Sequence, residues 1–362
     1  MKDMHRFYVV LIYLLFALPS AASTPPAGGG VDGVETGGGS AAVPGSQLPR
    51  SDLFTFHSDA FVNVHHFLYR WGQVGPGTDG AAPGARVVLA GDELERYATM
   101  DEADRDAWDF AASYYRLDMV GRDLLFDEQM VALRDCLVLA GNFCDRIAAR
   151  DQASLDILNA VMPVYRRVFW SRHNAENRRW IDQVMPLAQR FEGVIAPRLA
   201  AAYGGEWSEQ RNRVDVTAYA NDVGAYTTAD GHITLSSTLP GTQGLFGLEL
   251  LFHEASHGND LERPLHALIG RAFAAIEAEP PPDLWHMTIF YTAGHLTRAA
   301  LAEAGIDYPQ TYAEYAGIFT RREANVRARA ALEPHWPAAL EAGTGFEPAM
   351  REVARAWQAE GG

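Results

Sequence analysis

Residues 242–259 contain the stretch LFGLELLF, which is apolar on nearly every face of a helix and is followed at once by the polar sequence HEASHGN. A helix without a polar face must be surrounded by other elements instead of lying at a surface. The chain has 362 residues, enough to bury such a core in one large domain or two ordinary ones. We therefore predict a central buried helix from about Thr242 to Asn259.

The segments on either side of this helix predict an α+β fold that is predominantly helical. Before residue 205, apolar residues recur at helical spacing through most of the sequence. Residues 213–237 instead alternate β-branched residues around Asp230-Gly231, a pair that favours a hairpin turn. We expect a small antiparallel sheet or hairpin there, directly before the central helix. Further helices are expected near 263–278 and from Asp283, as N-cap, to a stop at Gly305.

The N-terminus predicts export. Lys2 and Arg6 precede or begin an apolar run over residues 7–18, and small residues follow it. The run is too short to span a bilayer, which favours a signal peptide over residues 1–22 and a secreted or periplasmic protein. An uncleaved anchor is the alternative.

Three further regions follow from composition and pattern. Residues 23–50 are rich in Gly, Pro and Ala and predict a flexible leader with little to bury. Residues 51–205 form a helical region, and residues 206–362 carry the metal-binding pattern described below. We expect 51–362 to pack as one domain, with a boundary near 205 as the alternative.

Charge and cysteine content narrow the partners and the chemistry. The net charge is −16 and the sequence shows no concentrated basic face, so neither nucleic acid nor an anionic membrane is an expected partner. Stable membrane association is not expected once the signal peptide is removed. Cys136 and Cys144 are the two cysteines. In an oxidising compartment they form either a small-loop disulfide or two separate buried thiols.

His253, Glu254 and His257 form the pattern H-E-x-x-H. Positions i and i+4 of a helix differ by about 40° around its axis, so the two imidazoles can point at one ion. Glu254 lies about 100° from His253, where it can act on a metal-bound water without binding the ion. Three polar side chains after an apolar helix are costly to bury unless a metal compensates. The alternative is that they are satisfied residues of a core or cleft edge.

This segment resembles the active-site helix of the zincin metallopeptidases, because FHEASH follows a hairpin and ends a buried helix. The resemblance covers about residues 210–300. It implies a zincin-like catalytic core, Zn²⁺ held by the two imidazoles, the adjoining carboxylate as general base, and a peptide or protein substrate. It also implies that the hairpin around Tyr226 to Ser236 forms the edge of the substrate cleft. A hairpin that only covers the core is the alternative.

The third metal ligand has three candidates. The third His of the metzincin group is missing after HEASH, which favours a gluzincin-like ligand on a downstream helix. His286, at the third position of the capped helix, is the preferred candidate. Glu277 lies at a gluzincin-like interval but at the tail of a helix. His295 is nine residues beyond His286 and so faces the opposite side of a straight helix.

Other polar residues receive less specific assignments. Asp260 either orients an imidazole through its N–H or solvates the end of the motif helix. Gluzincin-like sites often use a tyrosine to stabilise an oxyanion, and core packing is the alternative for each candidate: Tyr291, Tyr312 and Tyr315. Packing is favoured for the histidines near the start of the domain: His57, His65 and His66.

Together these features predict an exported zinc-dependent hydrolase of the metallopeptidase type, with Glu254 activating a metal-bound water and His253, His257 and His286 holding the metal. The rival prediction is a non-catalytic exported helical binding protein. In that case HEASH is structural or binds metal without turnover.

Overall fold

The computed structural model describes residues 51–76, 89–139 and 149–359. The predicted signal peptide and leader lie outside these ranges, as does Cys144, so export remains a prediction. Cys136 is disulfide-bonded, which agrees with the disulfide and not with two separate buried thiols. Among the helices of the described ranges, none combines the length and the apolar character that crossing a bilayer requires.

Helices occupy most of the first half of the described chain, as the apolar spacing predicts. The last two of them run together through a π-helical turn at Arg166–Trp170, and α6 alone has 33 residues, about 50 Å of helix. The helices of this half are α1 (Ala60–Val74), α2 (Gly91–Ala98), α3 (Glu102–Tyr114), α4 (Glu128–Leu139), α5 (Ala149–Tyr165) and α6 (Ser171–Tyr203).

A four-stranded mixed sheet combines one strand from the first half of the chain with three strands from the second half. Its strands are β1 (Phe54–His57), β2 (Asn212–Thr217), β3 (Ala225–Thr227) and β4 (Ile233–Ser236), in the order β1-β2-β4-β3. β1 and β4 both run parallel to β2, and β3 alone is antiparallel. The prediction of a small antiparallel sheet is therefore wrong in part. Parallel pairs arise from segments distant in sequence, which local alternation does not reveal.

The hairpin predicted around Asp230-Gly231 is present and joins β3 to β4. Gly231 has φ of 79°, the left-handed conformation that such a turn needs. β4 lies inside the sheet, whereas β3 is an edge strand. Of the segment Tyr226–Ser236, which is expected to form the cleft edge, only β3 is therefore at an edge of the sheet.

The second half continues with α7 (Gly244–Ala255), α8 (Asn259–Ala274), α9 (Leu284–Glu303), α10 (Tyr312–Tyr315), α11 (Glu323–Leu332), α12 (Trp336–Ala342) and α13 (Phe346–Ala359). The central helix ends four residues earlier than predicted, and α8 begins four residues earlier than the expected 263. The helix predicted from Asp283 to Gly305 agrees closely with α9, and Gly305 follows it with φ of 73°.

α7 is the buried central helix that its composition predicts. Every residue from Gly247 to Ala255 is buried, and the helix packs on α6, α9 and β3. A Cβ at Gly247 would lie 2.9 Å from Val184 of α6 and 2.5 Å from the Thr242 carbonyl oxygen, so only glycine permits this approach. The core around α7 fixes the orientation of the polar residues at its end.

Candidate metal centre

His253 lies in the last turn of α7, and His257 lies just beyond the helix. The helix ends at Ala255, but the His257 N–H still donates to the Glu254 carbonyl at 3.1 Å, which continues the winding for one tighter turn. The two Nε2 atoms come to 3.3 Å of each other. Ligands at 2.0–2.1 Å in a tetrahedral zinc site are about 3.3–3.4 Å apart. The observed separation of these imidazole nitrogens fits such a site.

His286 joins this pair from the first turn of α9. Imidazole nitrogens of the three side chains all lie within 4.8 Å of one another. The His286 ring centroid is 5.4 Å from that of His253 and 5.0 Å from that of His257. Rings of Trp285 and Phe290 stack on His286, which limits its rotation. The structure therefore brings together the three residues predicted as metal ligands, and we call them the histidine cluster.

The surroundings keep two imidazoles of this cluster, those of His253 and His286, uncharged. Burial, together with the neighbouring His257, lowers the pKa of His253 well below its ordinary value and that of His286 to about 3. Neutral imidazole is the form that binds a metal ion. Nδ1 of His253 is also buried without a hydrogen-bond partner among the described residues, which is uncommon in a folded protein. The donor set and its protonation state suit Zn²⁺.

Glu254 lies beside the cluster and is held by the edge strand. Its side chain is 5% exposed, and the Thr227 hydroxyl donates to its Oε2 at 2.7 Å. Burial raises the pKa of Glu254, although His257 and the Thr227 hydrogen bond act in the opposite direction. A carboxylate with a raised pKa is a stronger base, as proton abstraction near neutral pH requires.

The acidic partner of the cluster is Glu262 of α8, which the sequence analysis missed. Its Oε2 lies 3.1 Å from Nδ1 of His257. Burial alone would raise the Glu262 pKa, but hydrogen bonds from His257 and His266 lower it to about 2. An ionised carboxylate on Nδ1 orients the ring and leaves Nε2 for a metal. The expectation that Asp260 has this role is wrong, because the early start of α8 leaves Asp260 exposed.

A cavity of about 220 Å³ opens beside the histidine cluster. Glu254 and His286 line it, so the general-base candidate and one metal-ligand candidate face the same space. Tyr312 also lines this cavity, and its hydroxyl donates to the Val223 carbonyl at 3.0 Å. Of the three tyrosines considered for an oxyanion, it is the one placed there. Burial raises its pKa to about 12, so the phenol remains a hydrogen-bond donor. We call this space the active-site cavity.

The remaining candidates lie elsewhere. Glu277 is exposed beyond the end of α8, in a left-handed conformation with φ of 55°, and is not part of the histidine cluster. His295 lines a different cavity, where its ring stacks on Tyr291. His295 and His286 are nine residues apart on α9, so they lie on opposite sides of the helix, as the helical spacing predicts. Tyr315 stacks on Phe246 and is 46% exposed.

The paired histidines of α1 belong to the core. His65 and His66 are both fully buried, and each ring bonds a tyrosine hydroxyl at 2.8 Å: Tyr115 and Tyr226, respectively. The contact with Tyr226 ties α1 to strand β3. These side chains are accounted for by packing and hydrogen bonding.

A second polar group of suitable spacing contains Asp135, Asp230 and His232. It already includes a cation, because the Arg134 guanidinium pairs with both aspartates. His232 in turn binds the buried Asp215. We interpret this group as an ion-pair network that fastens α4 to the β3–β4 turn.

Comparison with known proteins gives no matching family model, no similar curated protein and no similar solved structure. The function must therefore be argued from the chemistry of the histidine cluster and the active-site cavity.

Proposed function

We propose that this protein is an exported zinc-dependent hydrolase that cleaves peptide bonds. One observation carries the proposal: nitrogens of His253, His257 and His286 converge within 4.8 Å, beside a buried Glu254 that lines a cavity. Three imidazoles with a neighbouring carboxylate and room for substrate are the components of a catalytic zinc site with an open position.

Residues of the chain would carry out proton transfer and stabilise the developing charge. When bound, zinc lowers the pKa of a coordinated water and polarises a carbonyl group. Glu254 accepts the proton of the attacking water and can return it to the leaving amine. Thr227 fixes the position of that carboxylate through its hydroxyl. The Tyr312 hydroxyl, which donates to the Val223 carbonyl in this structure, would turn to donate to the oxygen on which negative charge develops.

Strand β3 supports a peptide as the substrate. It is one of the two edge strands of the sheet, and its outer side pairs with no strand of the described ranges. Its three residues are buried, so a bound peptide would have to replace the groups that cover them. Val223, just before β3, and Ala225, within it, line the active-site cavity. An extended peptide can hydrogen-bond to such an edge while its scissile bond lies near Glu254. In zincins the strand directly before the active-site helix borders the cleft, whereas here that strand, β4, lies inside the sheet and the preceding strand, β3, is at the edge.

Metal analysis and turnover test this proposal in sequence. The purified mature protein is expected to contain one zinc per chain and to cleave members of a broad peptide library. Glu254→Gln should retain the zinc and lose activity by about 10²- to 10⁴-fold. His253→Ala should lose the zinc. Glu95→Gln, an exposed change on α2, is the matched control and should behave like the wild type.

The outcomes separate enzyme from binding protein. Zinc binding without hydrolysis of any library peptide would favour the non-catalytic metal-binding protein. Stoichiometric zinc in the His253→Ala variant would show that the histidine cluster is not the metal site.

A further inference from the structure

We propose that the active-site cavity binds a carboxylate on the substrate residue next to the cleaved bond, so that the protein prefers acidic or C-terminal peptide positions. The inference rests on the proposed function and adds its substrate class. It starts from Arg321 and Arg322, which line the same cavity as Glu254 and His286.

The two arginines are a local exception in an acidic protein. The chain has a net charge of −16, yet two arginines that are adjacent in sequence line the cavity. Arg321 donates to the Ala316 carbonyl at 2.7 Å, which fixes the side chain in place. The negative charge of Glu254 raises the pKa of Tyr312, whereas the positive charge of Arg321 lowers it. Arg321 and Glu254 are thus both within electrostatic range of one phenol.

Arg322 has only a loose ion-pair contact within the described chain. Its Nη1 lies 3.9 Å from Asp283, and its side chain is 75% exposed. An exposed pair at that distance contributes little stability, so a ligand carboxylate can replace Asp283 at small cost. Guanidinium groups bind carboxylates through two parallel hydrogen bonds, which gives the selectivity that the proposal needs.

The cavity dimensions limit where the carboxylate can be. A sphere of 220 Å³ is about 7.5 Å across, which is about two residues of extended chain. At most about two residues of extended chain therefore fit between a peptide bond at Glu254 and a carboxylate at the arginines. The cavity walls between the polar groups suit the methylene groups of the substrate, because they are apolar: Leu250, Met287, Phe290 and Ile318.

Matched peptides test the inference. One set compares the same sequences with a free or an amidated C-terminus, and another compares internal Glu with Gln beside the cleaved bond. The wild type should cleave the carboxylate member of at least one set with about 10- to 100-fold higher kcat/KM. The set that shows the preference tells a terminal carboxylate from an acidic side chain.

The double variant Arg321→Gln/Arg322→Gln should lower cleavage of the carboxylate peptides to the level of their neutral partners, at unchanged zinc content. Arg351→Gln/Arg355→Gln changes two exposed arginines of α13 outside the cavity and serves as control. Equal cleavage of charged and neutral peptides by the wild type would overturn the inference. So would an equal loss on all peptides in the Arg321/Arg322 variant.

A binding experiment distinguishes failure of the proposed function from failure of the carboxylate inference. If the wild type cleaves none of the peptides, the same pools are equilibrated with the zinc-loaded Glu254→Gln variant and retained peptides are measured by ultrafiltration and mass spectrometry. Enrichment of carboxylate members, abolished by the two Arg→Gln changes, would support the carboxylate site even for a non-catalytic protein. Equal retention of both members would overturn it.

Discussion

Glu249 is a buried carboxyl group one turn before His253, and its ionisation should make the folded protein less stable as the pH rises. It is 1% exposed, and its Oε2 accepts hydrogen bonds from the Tyr308 hydroxyl at 2.7 Å and the Tyr312 N–H at 3.0 Å. Burial raises the pKa of this carboxyl from 4.5 to about 7, although these hydrogen bonds oppose the increase.

The sign and size of the effect follow from linkage. Between pH 4.5 and 7 the folded protein binds the proton that the unfolded chain releases, so the free energy of unfolding falls as the pH rises through this window. The total loss above pH 7 is about 3 kcal/mol, and most of it falls between pH 5 and 8.

Glu249→Gln removes the ionisation while keeping an amide oxygen that can accept both hydrogen bonds. We expect the variant to gain about 2 to 3 kcal/mol of stability relative to wild type on going from pH 5 to pH 8. Urea unfolding followed by tryptophan fluorescence at the two pH values measures this, with an unchanged m-value as a check on the unfolding reaction. Glu95→Gln, on the surface of α2, controls for the general effect of removing an acidic group. A stability difference between the Glu249 variant and wild type that is independent of pH would refute the reasoning.

Two further predictions concern the ligands and the cavity. His286→Ala should weaken zinc binding, whereas His295→Ala on the same helix should leave it unchanged; competition with a fluorescent chelator measures both, and equal affinities would remove His286 from the site. Tyr312→Phe should lower kcat by about 10²- to 10³-fold at unchanged zinc content, as expected for loss of one hydrogen-bond donor to a developing oxyanion. Tyr315→Phe, outside the cavity, should have wild-type kcat, and a similar loss in both variants would contradict the assignment.

The elements predicted well from the sequence are those with strong local signals. α7 lacks a polar face, α9 begins just after Asp283 and ends two residues before Gly305, and the β3–β4 turn contains Asp230-Gly231. Each of these signals acts within a few residues, so a single sequence contains the information needed. The three imidazoles come together because α7 and α9 pack against each other.

The parts that were missed depend on non-local pairing or on a small change of chain direction. β1 has only four residues, and its partner β2 lies far along the chain, so neither strand indicates a parallel pair by itself. α7 stops at Ala255 and α8 begins at Asn259, and the intervening turn brings Glu262 to His257. A residue count that assumes one continuous helix selects Asp260 instead.

α7 suggests how a catalytic polar residue can be told from a structural one on the same buried helix. Polar side chains interrupt its apolar sequence, and each obtains a contact from a different element: Glu249 from α10, Glu254 from β3, and His253 from α9. Burial of a polar group therefore identifies a position that needs a partner, but it does not identify chemistry. Access makes the difference, because Glu254 lines the active-site cavity and Glu249 does not. Under the proposed function, the raised pKa of Glu254 suits it to act as a base toward substrate, whereas the raised pKa of Glu249 sets only the pH dependence of stability.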